Sequence, residues 1–403
     1  MTSPLRDRAF ARLWVAGLFA ETAEWMLQVA VPVFIYQATG SAGSTALTMI
    51  AGVLPIVLLS PVAGHVADRC DRRLLLCAVC FAQAAVALPL LAARGPLIYL
   101  VMIAQSALAS LFEPARNALV PALVGTDLVT AANGLMGMNS SVARFAGSSL
   151  GGVVLGFAGL GWVVGCYLAM LTLAGLLLAP RFTAVTRGER ANHGWFGGFG
   201  HSPVLRVTAL TAALMSVAQG MFLVLFVVFV TGPLGGGEAE VGLLRGVQAI
   251  GGFAAGFAVA TVARRVLPAH LLGWGAVVLG LVSLVIWNGP VVTGALGVYI
   301  GLFSAVGAPG AVTGAGLFSV VQQETGPDRL GRVSSTFFAG MAAFQALGML
   351  AAGALVGRIG LTSLLDAQSA LYVAAGLVTL AGLRRRLATV EPCPASTPPA
   401  TST

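Results

Sequence analysis

Gly64-His-Val-Ala-Asp68-Arg69-Cys70-Asp71-Arg72-Arg73 is a short charged stretch set between two apolar runs, Thr45 to Ala63 and Leu74 to Leu91. Each run is long enough to cross a bilayer as a helix, which takes about 20 residues. The charges between them therefore sit at a membrane face. Gly64 lets two helix ends approach closely, and Asp68 is placed to pair with Arg69, Arg72 or a neighbouring helix terminus. Arg72 and Arg73 suit a cytoplasmic surface.

Composition extends that reading to the whole chain. Of 403 residues, 58% are hydrophobic and only 9% charged, with a mean hydropathy of +0.92; a soluble chain carries about 25% charged residues. The net charge is +8 and all 22 basic residues are arginine. These arginines fall between apolar runs and form no continuous basic face, so membrane topology accounts for them better than nucleic acid does. Cys70, Cys77, Cys80, Cys166 and Cys393 make an odd set unsuited to a disulfide framework. Cys77 and Cys80 have redox spacing but lie inside an apolar run. No metal site is expected, because His65, His193, His201 and His270 stand in or beside short loops without ligand spacing. A chain without lysine has no phosphate-binding loop of the G-x-x-x-x-G-K type, which disfavours ATP-driven transport by this chain alone. No cofactor is expected.

Twelve apolar segments follow one another. The first extends to about Tyr36 after Arg6, Arg8 and Arg12; it is too long for a signal sequence and contains Glu21 and Glu24, so it reads as a retained helix. The others lie near 45–65, 74–93, 97–119, 132–157, 160–180, 204–230, 241–263, 268–288, 291–318, 333–357 and 362–383. Placing both termini and the even-numbered connections in the cytoplasm puts every arginine there except Arg94, Arg144, Arg245 and Arg358. Gly256 to Arg265 repeats Gly64 to Arg73, with the glycine and the paired arginines in register and Ala260 in place of Asp68. Residues 1–180 and 204–383 thus read as two six-helix bundles. Between them, 181–203 is a basic, glycine-rich cytoplasmic linker, and 384–403 is expected to be a disordered cytoplasmic tail.

The opening stretch resembles the loop between the second and third helices of the major facilitator superfamily, roughly G-x-x-x-D-R-x-G-R-R/K. Gly64, Asp68, Arg69, Arg72 and Arg73 match, while Asp71 replaces a glycine and adds a salt-bridge acceptor. The resemblance implies an all-α integral membrane protein: twelve transmembrane helices in two six-helix pseudo-symmetric bundles, with a substrate site between them near the midplane. Gly134, Gly147, Gly151 and Gly152 resemble the fifth-helix glycine pattern of exporters in that superfamily, although Ala143 and Ser148 replace one glycine and the proline. Generic small-residue helix packing would also explain these glycines. Leu5 to Trp14, Glu24 to Pro32, Pro114 to Pro121 and Pro327 to Arg332 are similar to an exporter subgroup that includes the enterobactin exporter and macrolide-efflux-type permeases. That likeness implies export of hydrophobic or amphiphilic compounds against proton entry.

Ionisable residues inside spans are the informative ones, each costing about 3 kcal/mol at a helix centre unless it finds a partner or a water-filled cavity. Glu21 and Glu24 share one face of the first helix. A carboxyl that takes up a proton near neutral pH can couple proton flow to conformational change, so Glu24 is the first candidate carrier and Glu21 the second; a purely structural pair is the alternative. Glu113 and Arg116, at helical spacing around Pro114, are expected to pair with each other or with Asp68 and Arg72 and to act in gating. Arg144 is placed either to neutralise an anionic substrate or to pair with a carboxylate. Arg245 and Asp366 are expected at the outer interface. Trp25, Gln28, Asn139, Gln219, Phe222, Gln248 and Gln345 stand at comparable depths and, with Arg144, are the candidate cavity residues.

The expectation is therefore a proton-coupled antiporter with alternating access, a monomer in a bacterial inner membrane. Its partners are a small-molecule substrate, protons and the lipid bilayer, with no nucleic acid. Uptake or facilitated diffusion on the same fold is the alternative, and a non-transporting sensor a more distant one. An enzyme is not expected, because no nucleophile, base and orienting group can be assembled from motif spacing.

Overall fold

The computed structural model describes residues 4–92, 95–124, 128–180, 202–261, 266–325 and 327–383. The linker 181–201, the tail 384–403 and the pair Arg264 and Arg265 lie outside the described residues, and at Gly64, Asp68 and Arg69 only the helical backbone is described. Among the described residues are twelve α-helices and no strand. They are α1 Arg8–Thr39, α2 Ala42–Arg69, α3 Arg72–Ala87, α4 Leu97–Val124, α5 Val129–Ala158, α6 Leu160–Leu178, α7 Pro203–Thr231, α8 Glu238–Thr261, α9 Pro268–Asn288, α10 Leu296–Glu324, α11 Pro327–Ile359 and α12 Leu361–Gly382. Ten helices are both long and apolar enough to cross a membrane. The other two, α2 and α8, have 28 and 24 residues, so each exceeds the roughly 30 Å of a hydrocarbon core at about 1.5 Å per residue.

Local chemistry sets the boundaries. Asp7 opens α1, its Oδ1 accepting from the amides of Ala9 at 2.8 Å and Phe10 at 2.9 Å. Gly40 closes α1 at φ 63, a conformation that glycine adopts without strain, and the Ser41 hydroxyl caps α2. Two boundaries differ from the sequence reading. The charged stretch is not a ten-residue loop: α2 continues through Arg69, leaving Cys70 and Asp71 as the turn. The tenth helix starts at Leu296 rather than near 291, because Gly289–Val291 forms a 3₁₀ turn and the Thr293 hydroxyl accepts from the Ala295 amide at 3.1 Å.

The packing is pseudo-symmetric. Helix α5 lies against α8, and α11 lies against α2, the contacts that exchange when each helix is replaced by the one six places along. The single-glycine links at Gly159 (φ 79) and Gly360 (φ 92) occupy equivalent places between α5 and α6 and between α11 and α12. Both inter-half contacts are made backbone to backbone at glycines. A Cβ on Gly152 would fall 2.7 Å from Gly242 Cα, and one on Gly353 would fall 3.1 Å from Gly43 Cα. These residues lie toward the end of α5, the start of α8, the end of α11 and the start of α2, so the halves meet at one end of the molecule.

Candidate functional site

A cavity of about 270 Å³ lies between the halves. Helices α1, α2 and α4 contribute Trp25, Gln28, Val29, Pro32, Met49 and Met102, while α7, α8 and α11 contribute Leu223, Phe226, Arg245 and Met349. Its wall is mostly apolar, with three methionines whose unbranched side chains adapt to irregular shapes. Trp25 is positioned from behind by Gly147, where a Cβ would fall 2.8 Å from Trp25 Cβ. Two guanidiniums lie over its indole, Arg144 of α5 at 5.9 Å and Arg245 of α8 at 6.0 Å from the ring centroid. Arg245 also lies 5.1 Å from the Phe222 ring and donates to Gln248 Oε1 at 3.3 Å.

Gln28, Gly52 and Met102 also line a side chamber of about 50 Å³, which continues inside the first half. Glu24 stands in it. Its Oε1 accepts from Gln83 Nε2 at 3.2 Å; Gln105 Nε2 donates to the main-chain carbonyl of Gln83 at 2.8 Å, and the Tyr167 hydroxyl donates to Gln105 Oε1 at 3.0 Å. One chain of hydrogen bonds thus joins α1, α3, α4 and α6. Among the described residues Glu24 has no basic partner.

Glu21 is held differently. It is ion-paired with Arg116, which binds Glu113 through its other terminal nitrogen at 2.7 Å. Glu21 and Arg116 are buried, whereas Glu113 is half exposed. The triad lies wholly in the first half, linking α1 to α4. The expected pairing of Glu113 with Arg116 is present. Arg116 adds Glu21 to it, while the side chain of Asp68 lies outside the described residues.

At the charged turn, Asp71 Oδ1 accepts from the amides of Arg73 at 2.9 Å and Leu74 at 3.1 Å, so Asp71 is the N-cap of α3. The residue that replaces the superfamily's glycine thus bonds backbone, where the sequence suggested a salt bridge. Arg73 Nη1 donates to the carbonyls of Leu178, at 3.2 Å, and Ala179, satisfying groups left open by the end of α6. Arg72 is partly buried at the start of α3.

Several sequence-predicted cavity residues serve packing instead. Asn139 is fully buried and donates to the Trp14 carbonyl at 2.6 Å, while Trp14 Nε1 donates to the Leu135 carbonyl at 2.9 Å. The two tie α1 to α5 away from the cavity wall. Gln219 accepts from the Tyr372 hydroxyl at 2.9 Å, and the main-chain carbonyl of Gln345 lies where Gly220 of α7 makes room. Of the four glycines singled out, Gly147 and Gly151 admit α1 and Gly152 admits α8, but a Cβ on Gly134 would meet nothing within 4 Å. Gly134 is therefore no packing glycine in this arrangement.

Arg245 is the residue most changed by the structure. It was expected at the outer interface, but α8 begins at Glu238 and carries it two turns into the molecule, where it lines the cavity. Asp366 does stand near a helix end, accepting from Asn288 Nδ2 at 2.9 Å. Gln83, Gln105 and Tyr167 were not anticipated. Polar groups at mid-span in α3, α4 and α6 were the available signal.

Two six-helix halves packed around a central cavity define a membrane transporter of the major facilitator type, and such proteins are not enzymes. Residues 1–395 match the family described as transmembrane secretion effector, and the chain belongs to that family. An uncharacterized MFS-type transporter of Bacillus subtilis (strain 168), YvqJ, is 27% identical over 247 residues, covering 57% of this chain and 58% of that protein. The chain thus matches somewhat over half the length of that curated relative. A bacterial homologue of the human lysosomal transporter Spinster, in an inward-facing and occupied conformation, has a TM-score of 0.75 at 15% identity, covering 95% of this chain and 98% of the other. An inward-facing bacterial homologue of the iron transporter ferroportin has a TM-score of 0.74 at 16% identity, covering 93% and 98%. At these identities the likeness speaks for the fold.

Proposed function

We propose that the chain is a secondary active exporter of small hydrophobic or amphiphilic compounds, working by proton antiport with alternating access. The observation that carries this reading is the Glu24 side chamber. An intramembrane carboxyl without a basic partner, bonded only to a neutral amide, is free to gain and lose a proton, and three residues of its chamber also line the cargo cavity. Proton binding and cargo binding would therefore act on the same walls. Glu21, neutralised by Arg116, is the weaker candidate.

The apolar, methionine-rich wall favours cargo with a substantial apolar body. The arginine distribution supports cytoplasmic termini in a bacterial inner membrane, and in that orientation the glycine-packed end faces outward and the cavity opens toward the cytoplasm. We take the chain to act as a monomer of two bundles, 1–180 and 204–383, joined by the 181–203 linker.

The test is transport into inverted membrane vesicles under an imposed pH gradient, with a panel of lipophilic dyes and antibiotics, comparing the parent with Glu24→Gln. Gradient-dependent accumulation lost in the variant is the expected result. Equilibration of the compound without accumulation, at a rate that ignores the gradient in both, would replace antiport with facilitated diffusion.

A further inference from the structure

Arg144 and Arg245 raise a question that efflux of neutral hydrophobic compounds does not answer. Each comes from a different half, and both reach the indole of Trp25. Among the described residues no carboxylate forms an ion pair with either. Arg144 Nε is buried without a hydrogen-bond partner, while Arg245 has only the neutral Gln248 and aromatic faces. Arg245 lines the cavity, and Arg144 lies beside it against Trp25 and Gly252 of α8; the two like charges repel each other and lack the counter-charge that buried arginines normally keep. The nearby intramembrane carboxylates are engaged elsewhere, Glu21 by Arg116 and Glu24 by Gln83.

We infer that the missing counter-charge is the cargo's own: the cavity receives an amphiphilic organic anion, its oxyanion head held by Arg245, with Arg144 adding its charge from α5 across Trp25, and its apolar body against Trp25, Phe226 and the methionines. A guanidinium presents forked donors that match a carboxylate, sulfonate or phosphate oxygen pair. Because the two arginines stand on opposite halves, the head group's charge acts on both α5 and α8, which already pack against each other. The inference rests on the transport reading for its biological sense, but binding can be measured without any gradient.

The experiment uses the purified full chain in lipid nanodiscs and two probes that share one body: 1-anilinonaphthalene-8-sulfonate and its neutral counterpart N-phenyl-1-naphthylamine. Binding is read as tryptophan-sensitised probe emission, with empty nanodiscs subtracted. The parent should bind the sulfonate at least about tenfold more tightly than the neutral amine. Arg245→Gln should abolish that preference while leaving neutral-probe affinity within about twofold, Arg144→Gln should weaken it in the same direction, and Arg245→Lys should restore part of it. Equal affinity of the parent for both probes, no saturable sulfonate binding, or equal loss of both probes in Arg245→Gln would overturn the assignment. Anion-selective binding without gradient-driven flux would preserve it and remove the antiport reading instead.

Discussion

Glu21 and Glu24 stand one turn apart on α1 and are held by opposite chemistry, the first by the guanidinium of Arg116 and the second by the amide of Gln83. The first is a fixed charge inside a buried triad. The second is a carboxyl whose charge no basic group opposes among the described residues. Substitutions at the two positions therefore separate stability from coupling.

Glu21→Gln leaves Arg116 buried with only the half-exposed Glu113. Breaking one partner out of a buried pair costs about 3 kcal/mol or more. Thermal unfolding in mild detergent should show a large loss for Glu21→Gln and little change for Glu24→Gln. Equal melting temperatures would mean that Arg116 finds compensation elsewhere.

Gln83→Leu removes the donor to Glu24 while keeping the bulk of the side chain. Because a hydrogen bond to a charged group is worth about 1.5–3 kcal/mol, gradient-driven flux should fall about tenfold, with gradient-free cargo affinity unchanged. A parallel fall in affinity would show that the chamber shapes the cargo cavity instead.

Asp71→Ala should cost about 1 kcal/mol and Asp71→Gly only a few tenths, as for other N-caps. Amide hydrogen exchange at Arg73 and Leu74 is the direct measurement, and both amides should exchange faster in the alanine variant. Unchanged protection would mean that packing, not the cap, starts α3.

Gly152→Val places a side chain where Gly242 leaves no room. In a background without native cysteines, spin labels at the exposed Phe157→Cys and at Ala239→Cys, whose amide nitrogen would lie 3.8 Å from a Cβ on Gly156, should report a short distance in the parent and a longer one in the valine variant. A short distance in both would mean that this crossing is not what brings the ends together.

The fold was legible because each crossing of a bilayer demands a long apolar run, and arginines punctuate those runs on one side. Glu24 was legible for the same reason, being an acid where lipid-depth residues are expected. Its partners were not, because Gln83 lies 59 residues away and only the packing of α3 on the first half brings it near. Arg245 was misplaced by a few residues of boundary error: starting α8 at Val241 leaves it near the membrane surface, whereas the Glu238 start carries it inside. Asn139 looked like a cavity residue because a buried amide suggests function. Its bond to the Trp14 carbonyl shows how helix packing consumes such groups.

The glycine crossings of α5 with α8 and of α2 with α11 have a consequence for the surroundings in which the protein works. The α5–α8 crossing carries a titrating group at its edge, where a Cβ on Gly156 would fall 3.5 Å from Glu238 Oε2, whereas Gly353 of the α2–α11 crossing meets only Ala42, Gly43 and Ala46. Salt or acid bathing that end should therefore act on the first crossing through Glu238 and leave the second unchanged.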